Sequence, residues 1–233
     1  MAYSYGPTIV KNGLVLAYDA ANPRSYPGSG DLWTDLSGNR NSGSIKNGPV
    51  FSTSNGGIFT FDGSDDHVDP IFNNGGEIPK ITVNTWIRVS SFSTGWFNQT
   101  VINSWFGRWQ LEIRNSDRIP FFFVSSGSNP VISEVVLGQT PLSASQWYML
   151  TGTFGSGLDL YLNGALNQTT ASVPFEFLPP VSSYVSGFIA ASWRRRGNPF
   201  VGDIAQIQVY NRGLSPSEVL QNYKASKGRY GLK

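Results

Sequence analysis

Cysteine is absent from this 233-residue sequence, histidine occurs once, and charged residues make up only 14% of it. The absence of cysteine excludes a disulfide framework, a thiolate metal site and a cysteine nucleophile. A single histidine gives poor support to a zinc site or to Ser-His-Asp catalysis. The apolar runs are too short to span a bilayer, so we predict no membrane insertion. The opening MAYSYGPTIV has neither a basic region nor a long apolar core, so we predict no signal peptide there.

Acidic and basic residues nearly balance, with a formal net charge of +2. Nucleic-acid binding calls for a concentrated basic footprint, which this composition does not provide. Glycine (26 residues) and proline (14 residues) are abundant instead. This composition suits many short strands joined by tight turns.

Residues 147–164 show the strand pattern most clearly. Two strands are predicted at Trp147–Phe154 and Leu158–Leu162, with a glycine-bearing link between them and the turn dipeptide Asn163-Gly164 after them. In the second strand, leucines at 158, 160 and 162 alternate with Asp159, Tyr161 and Asn163. The alternation predicts one buried face and one solvent-exposed face, as in the sheets of a β-sandwich.

Similar patterns recur along the chain. Further strands are predicted at Leu14–Asp19, 58–61, 67–69, Ile81–Val89, 100–103, 108–114, 119–124, 131–137, 184–191 and 204–210. Residues 20–47 are predicted to form a long loop, held down by Tyr26, Leu32, Trp33 and Leu36. We therefore predict an all-β fold, an antiparallel two-sheet β-sandwich.

One helix is predicted, close to the C-terminal end. Ser215, Pro216 and Glu218 have the spacing of a capping box with proline at the first helical position. Gly228 is predicted to end the helix, and a basic tail follows it. The sequence thus divides into an N-terminal arm (1–12), a sandwich (13–213) and a C-terminal helix and tail (214–233).

The acidic segment around His67 is one candidate site. Asp62, Asp65, Asp66 and Asp69 offer carboxylate oxygens of the kind that calcium prefers. The alternative is an acidic turn in which aspartates cap backbone N–H groups. Both readings stay open at this point.

Aromatic residues form a second candidate site. Sugar rings stack on aromatic faces while amide and guanidinium groups bind their hydroxyls, and Trp96, Asn98, Gln99, Trp105, Arg108 and Trp109 have this chemistry. The alternatives are packing in the sandwich core and a contact with another protein. Arg194, Arg195 and Arg196 form a basic triplet that suits an anionic glycan or an acidic partner surface, or else a solvated loop.

Five segments, taken in order, resemble the laminin G-like, concanavalin A-like jelly-roll domains. They are WTDLSGNRNSG, GGIFTFDGSDDHV, ITVNTWIRV, WYMLTGTF with LDLYLNG, and FVGDIAQIQVYNRGLSPSEVLQNY, and they cover about residues 13–223. The first and last segments, GLVLAYDAANPRSYPGSG and EVLQNYKASKGRYGL, resemble a subgroup found in structural proteins of tailed phages.

The resemblance implies a jelly roll on a virion, as a capsid decoration or as a tail or fibre component. Implied partners are other virion proteins and copies of the chain itself, with host-surface polysaccharide as a further ligand. The alternative functions are a glycan-binding adhesin and a glycoside-active enzyme. Glucanases of this fold present their acids on one strand, often as Glu-x-Asp-x-Glu, and no such run occurs here. We therefore predict a non-catalytic protein.

One departure from the family pattern affects the metal prediction. Many relatives carry an Asp-Glu pair after the isoleucine of the late strand, and that aspartate can join a calcium site. Ala205 and Gln206 occupy those positions here, and Asp203 is the nearby acid. This departure argues against a calcium site of the family type. Asp203 is kept as a candidate calcium ligand beside Asp62, Asp65, Asp66 and Asp69, and no other cofactor is predicted.

Overall fold

The computed structural model describes residues 7–72, 80–92, 98–104, 108–126, 132–170, 185–191 and 199–233. Within these residues the chain is almost entirely β-structure with one C-terminal α-helix. The strands are β1 (Leu14–Asp19), β2 (Leu32–Trp33), β3 (Gly43–Lys46), β4 (Val50–Ser52), β5 (Ile58–Asp62), β6 (His67–Phe72), β7 (Ile81–Val89), β8 (Gln99–Ser104), β9 (Trp109–Arg114), β10 (Ile119–Ser125), β11 (Ser133–Leu137), β12 (Trp147–Phe154), β13 (Leu158–Leu162), β14 (Ala165–Thr170), β15 (Val185–Ile189) and β16 (Val201–Tyr210). Helix α1 (Pro216–Ser226) is followed by a 3₁₀ turn, Lys227–Tyr230, and a shorter one lies at Ser54–Gly56.

The strands form two antiparallel sheets. Sheet A has the order β14-β13-β12-β7-β16-β5-β4, and β1 also pairs with β16. Sheet B has the order β11-β10-β9-β8-β15-β6-β3-β2. The predicted two-sheet sandwich is confirmed, and β1, β7, β12 and β13 begin and end at the predicted residues.

The principal core lies between the two sheets. Alternate residues of most strands point into it, among them Ile87 of β7, Leu150 of β12, Leu111 of β9 and Phe122 of β10. The sheets approach closely where Gly152 faces Phe122, since a Cβ at Gly152 would overlap the phenyl ring. Membership of this core tells which residues of each strand face inward and which face outward.

A second apolar cluster covers the outer face of sheet A. Trp86 stacks on Tyr230 with ring centroids 4.0 Å apart, and Val219 of α1 is fully buried in the same cluster. Tyr161 belongs to this cluster and is buried, so the predicted solvent exposure was wrong at Tyr161, while Asp159 on the same face of β13 is partly exposed. The C-terminal segment covers the middle of this face. The alternation of residues within one strand cannot predict a cover that a distant segment provides.

The C-terminal segment is fastened by capping and by ion pairs. Ser215 accepts a hydrogen bond from the backbone N–H of Glu218, whose carboxylate accepts one from the N–H of Ser215, so the predicted capping box is confirmed. Gly228 does not end the helical segment as predicted. The 3₁₀ turn continues to Tyr230, and Gly231 then adopts the left-handed conformation (φ 72°). The Arg229 guanidinium binds Asp19 at 2.6 Å and the carbonyls of Asn55 and Gly57.

The predicted loop at 20–47 contains two short strands, β2 and β3, which form one edge of sheet B. Tyr26 and Trp33 are buried as predicted, and the hydroxyl of Tyr18 donates to the carbonyl of Asn41 at 2.5 Å. Leu32 is exposed, so its predicted role in holding the loop was wrong. None of the helices within the described residues has the length and apolar character needed to cross a membrane.

Candidate functional site

The acidic turn between β5 and β6 brings three of the candidate metal ligands together. Carboxylate oxygens of Asp62, Asp65 and Asp66 all lie within 4.8 Å of one another. The turn is tight because Gly63 adopts a positive φ of 80°. The backbone N–H of Asp62 donates to Asp66 Oδ2 at 3.0 Å, and the N–H of Ser64 donates to Asp62 Oδ1 at 2.8 Å.

Asp66 is the buried member of this group, while Asp62 and Asp65 are exposed. Burial raises the pKa of Asp66 and repulsion from Asp62 and Asp65 adds to the effect, although the hydrogen bond from the Asp62 N–H opposes it. A divalent cation would relieve the repulsion, and calcium accepts several carboxylate oxygens. These three side chains are therefore the ones that would hold such an ion.

The other two candidate ligands lie apart from this turn. Asp69 is on β6, with Oδ1 3.6 Å from Nε2 of His67. Asp203 is on β16 and binds Arg88 Nε at 2.6 Å and the hydroxyl of Thr60 at 2.6 Å. Of the five candidate calcium ligands, the structure thus brings Asp62, Asp65 and Asp66 together and places Asp69 and Asp203 elsewhere, and calcium binding itself stays a prediction.

The predicted glycan-contact residues lie in different environments. Trp96, Trp105, Arg194, Arg195 and Arg196 lie outside the described residues. Trp109 packs in the principal core, so it is unavailable to a ligand. Gln99 is also buried, where its amide donates to Asn115 Oδ1 and to the carbonyl of Ser91 and accepts from the N–H of Val201.

Asn98 and Arg108 remain near the surface beside β8 and β9. Both are partly exposed, and Asn98 Nδ2 donates to Glu112 Oε2 at 3.1 Å. Glu112 is buried and also accepts from the hydroxyl of Thr100 at 2.8 Å. Burial raises the pKa of Glu112, while the hydrogen bonds from Thr100 and Asn98 oppose that rise.

These residues belong to a larger surface, the outer face of sheet B. Because Leu111 and Phe122 point into the core, their sequence neighbours point outward. The strand register then aligns outward residues in rows across the sheet. One row is Thr100–Glu112–Phe121–Leu137, and the next is Phe188–Asn103–Gln110–Phe123–Val135.

The outer face of sheet B combines apolar and polar groups. Phe121 and Phe123 are partly exposed, and four of the large exposed apolar side chains among the described residues lie on this face: Leu32 (48%), Ile71 (47%), Val135 (41%) and Leu137 (38%). Gln110, Glu112 and Arg114 form the polar stripe along β9 beside them. Such a surface can stack an apolar ligand face and hydrogen-bond polar substituents.

Sequence reasoning missed the aromatic part of this surface. Residues 119–124 were predicted as a strand, but the run of three phenylalanines hid which of them face outward. The signal was available in the polar neighbours, because Gln110, Glu112 and Arg114 alternate with apolar residues on the adjacent strand. Pairing that strand with β10 assigns Phe121 and Phe123 to the same face.

Solved structures with the same fold include toxin binding domains. The binding domain of Paraclostridial mosquitocidal protein 1 matches with a TM-score of 0.69 and 17% identity over 91% of this chain and 52% of that chain. The botulinum neurotoxin serotype D ligand-binding domain, in complex with N-acetylneuraminic acid, matches with a TM-score of 0.68 and 18% identity over 92% and 51%. The binding domain of botulinum neurotoxin DC, in complex with SialylT, matches with a TM-score of 0.69 and 13% identity over 92% and 51%. This chain spans about half the length of these structures, and at such identities the likeness establishes the fold.

Comparison with curated protein sequences finds no match. A laminin G family model, described as "Concanavalin A-like lectin/glucanases superfamily", matches residues 62–220. That span contains β6 to β16 and the start of α1, which is most of both sheets. The chain therefore belongs to the concanavalin A-like lectin/glucanases superfamily.

Proposed function

We propose that this chain is a non-catalytic binding module that holds a glycan on the outer face of sheet B. One observation carries the proposal: the two sheets differ in how their outer faces are used. Among the described residues, the C-terminal segment covers the middle strands of the outer face of sheet A and leaves exposed apolar side chains, Val50 and Leu166, only on its two edge strands. The outer face of sheet B instead presents partly exposed Phe121 and Phe123 beside polar Gln110 and Arg114. An apolar area of this kind next to polar groups marks an interaction site.

The chemistry of this face suits a sugar ring. Phe121 and Phe123 lie on the same face of β10, two residues apart, which gives two neighbouring platforms for apolar C–H patches. Gln110 is partly exposed and lies directly opposite Phe123, so it brings a polar side chain to the same row. The neurotoxin domains with this fold support the proposal, since one was solved with N-acetylneuraminic acid and another with SialylT.

The arrangement of acids supports binding without hydrolysis. Along β9 the outward residues are Gln110, Glu112 and Arg114, so this stripe provides one carboxylate rather than two. Asp117, five residues after Glu112, lies beyond the end of β9 and forms an ion pair with Arg114. Glycoside cleavage needs two carboxyl groups on either side of the bond.

A glycan array with matched variants tests the binding proposal. Phe121→Ala and Phe123→Ala are each expected to weaken binding to the best glycan about tenfold, because a stacking platform is lost. Leu166→Ala is the control, since Leu166 is an exposed apolar residue on β14, at the edge of sheet A. The proposal fails if no surface polysaccharide binds, or if all three variants bind like the original protein. Trp96→Ala and neutral replacements of Arg194, Arg195 and Arg196 test the glycan contacts that were predicted from the sequence alone.

We further propose that the module is a structural component of a tailed-phage virion, as a capsid decoration or a tail or fibre part. The resemblance of the first and last segments to phage structural proteins supports this location, and copies of the chain and other virion proteins would be its neighbours. Mass spectrometry of gradient-purified particles should find the chain at a fixed stoichiometry, and electron microscopy should place it in an ordered lattice. Its absence from intact particles contradicts the location and leaves the glycan proposal standing.

A further inference from the structure

Within the described residues, β11 is the last strand of sheet B, so one of its edges is open. Its pairing with β10 uses every second residue. The Ser126 N–H donates to the Ile132 carbonyl at 2.8 Å, just before β11 begins. The Gly138 N–H donates to the Pro120 carbonyl at 2.9 Å, just after β11 ends. In an antiparallel ladder, the residues that alternate with such pairs direct their N–H and C=O groups away from the partner strand. On β11 these residues are Ser133, Val135 and Leu137.

The side chains of the same three residues are exposed on the outer face of sheet B. Val136 lies in the principal core, so its neighbours on β11 point outward. Ser133 is exposed, and Val135 and Leu137 are two of the large exposed apolar side chains. Natural edge strands are commonly protected from other strands by lysine, proline or a bulge. β11 contains neither lysine nor proline, and its register with β10 is regular throughout, so its open edge can accept another strand.

The open stretch of β11 is short, and both of its ends are fixed by hydrogen bonds. At one end the chain turns towards β14, where the Gln139 N–H donates to Asn167 Oδ1 at 2.8 Å. At the other end the Ile132 N–H donates to the Ser126 hydroxyl at 3.1 Å. Val135 is therefore the middle one of the three residues whose backbone groups point away from β10. A stretch that is symmetric about its central residue can pair with a second copy of itself.

We propose that two copies of this chain pair through β11, antiparallel to each other, about a two-fold axis next to Val135. In this register Val135 faces the partner's Val135, and Ser133 faces the partner's Leu137. Each outward N–H then meets an outward carbonyl of opposite partial charge, which gives about six hydrogen bonds between the copies. The inference goes beyond the proposed glycan-binding function and does not depend on it.

The side chains of β11 are compatible with this pairing. Glu134, the one charged residue of the strand, lies opposite the partner's Val136, so like charges are not directly opposed. The two-fold axis is perpendicular to the sheet, so the outer faces of sheet B in both copies lie on the same side and their exposed apolar residues adjoin. A pair of five-residue strands buries less than the roughly 1,200–2,000 Å² of a stable interface, so we expect a weak dimer with a Kd on the order of 10–100 µM.

Val135→Lys and Val135→Glu test both the surface and the register. Each variant alone places like charges directly opposite each other across the axis, so sedimentation equilibrium is expected to show dimerisation weakened at least about tenfold. An equimolar mixture of the two variants places opposite charges there instead and is expected to form a heterodimer at least as tight as the original dimer. A fluorescent label on the Val135→Lys protein reports the heterodimer in sedimentation velocity.

Val50→Lys is the matched control, because Val50 is exposed on β4, which is an edge strand of sheet A. It should dimerise like the original protein, and circular dichroism should give the same spectrum for all variants. An original protein that stays monomeric up to about 1 mM, undiminished dimerisation of either Val135 variant, or failure of their mixture to associate would each overturn the pairing. A monomer that still binds glycan would leave the proposed function standing, and a dimer without glycan binding would leave the pairing standing.

Discussion

At the scale of single residues, Asp66 shows how a local charge sets both stability and ligand chemistry. Burial beside Asp62 and Asp65 raises the pKa of Asp66 above its ordinary value of 3.8. The folded protein therefore binds this proton more tightly than the unfolded chain does. Keeping Asp66 ionised lowers the free energy of unfolding at neutral pH, and the penalty is relieved as the pH falls through the folded pKa towards 3.8.

Asp66→Asn is therefore expected to raise the melting temperature at pH 7 by roughly 1–3 °C. The amide oxygen can still accept the hydrogen bond from the Asp62 N–H, while the charge is lost. Thermal unfolding followed by circular dichroism between pH 7 and pH 4 measures the effect, and the gain should shrink as the pH falls. A gain of equal size at all pH values would contradict the electrostatic explanation; Asp31→Asn, an exposed aspartate, provides the control.

Calcium offers an independent check on the same turn. If Asp62, Asp65 and Asp66 hold the ion, millimolar calcium raises the melting temperature of the original protein, because a ligand that binds only the folded state stabilises it. Asp66→Asn should abolish most of that rise. An identical rise in both proteins would place calcium elsewhere.

Gly152 is a second example at this scale, in which the packing space between the sheets, rather than charge, determines the effect of a substitution on stability. Its missing side chain lets sheet A approach Phe122 of sheet B. Gly152→Ala is expected to destabilise the protein by about 1–3 kcal/mol, because the added methyl group overpacks the core. Urea denaturation measures the loss. Gly155→Ala is the matched control, since a Cβ there comes no closer than 3.7 Å to Gly213 Cα, and a loss as large in the control would refute the packing explanation.

At the scale of elements, helix α1 is held at its start by charge as well as by capping. The Arg212 guanidinium forms a two-pronged ion pair with Glu218, at 2.8 and 2.5 Å. Hydrogen bonding to Arg212 lowers the pKa of Glu218 to about 2 from 4.5, although partial burial opposes the shift. Because the folded pKa is the lower one, this contribution to stability is present above pH 4.5 and is lost as the pH falls towards 2.

Glu218→Gln keeps the capping geometry and removes the charge. At pH 7 it is expected to lower the free energy of unfolding by about 1 kcal/mol, because Glu218 is partly exposed and the ion pair is screened. Chemical denaturation at several pH values should show this difference disappearing towards pH 2. A difference that persists at pH 2 would contradict the ion-pair explanation, and Glu134→Gln on β11 serves as the control.

The elements also show what the sequence could and could not predict. Strong alternation and turn dipeptides located β1, β7, β12 and β13 and the capping box of α1. The strands β2, β3, β4 and β14 were missed, because they are short or polar and are ordered by the strands beside them. The acidic turn of the candidate site could be predicted, because its aspartates are neighbours in sequence. The rows of residues across sheet B could not be predicted, because they depend on the register between strands that are far apart in the chain.

At the scale of the whole molecule, the two ends of the fold are fastened to each other. The N–H of Val10 donates to Asn222 Oδ1 at 2.8 Å, and its carbonyl accepts from the hydroxyl of Tyr210 at 3.0 Å. The carbonyl of Thr8 accepts from Gln221 Nε2 at 2.7 Å. The later part of the predicted arm is therefore an integral part of the sandwich.

Two deletions separate folding from assembly. Removal of residues 1–12 is expected to lower the melting temperature by several degrees, because buried hydrogen-bonding groups of Tyr210 and Asn222 lose their partners. Removal of residues 1–6 retains these contacts and should leave the melting temperature unchanged. If the protein that lacks residues 1–6 has an unchanged melting temperature but is no longer incorporated into the particle, the arm docks the module to its neighbours. Normal incorporation of this variant would contradict that role.

The antiparallel pairing of β1 with β16 also determines how the molecule carries a mechanical load. Leu14 and Tyr210 face each other at one end of this strand pair. The segment after Tyr210 packs along sheet A and is anchored through Arg229 to Asp19, at the other end of β1. Tension between the termini must therefore break the Arg229–Asp19 ion pair and detach this segment before it reaches the β1–β16 ladder, which it then opens one hydrogen bond after another, as a zipper opens.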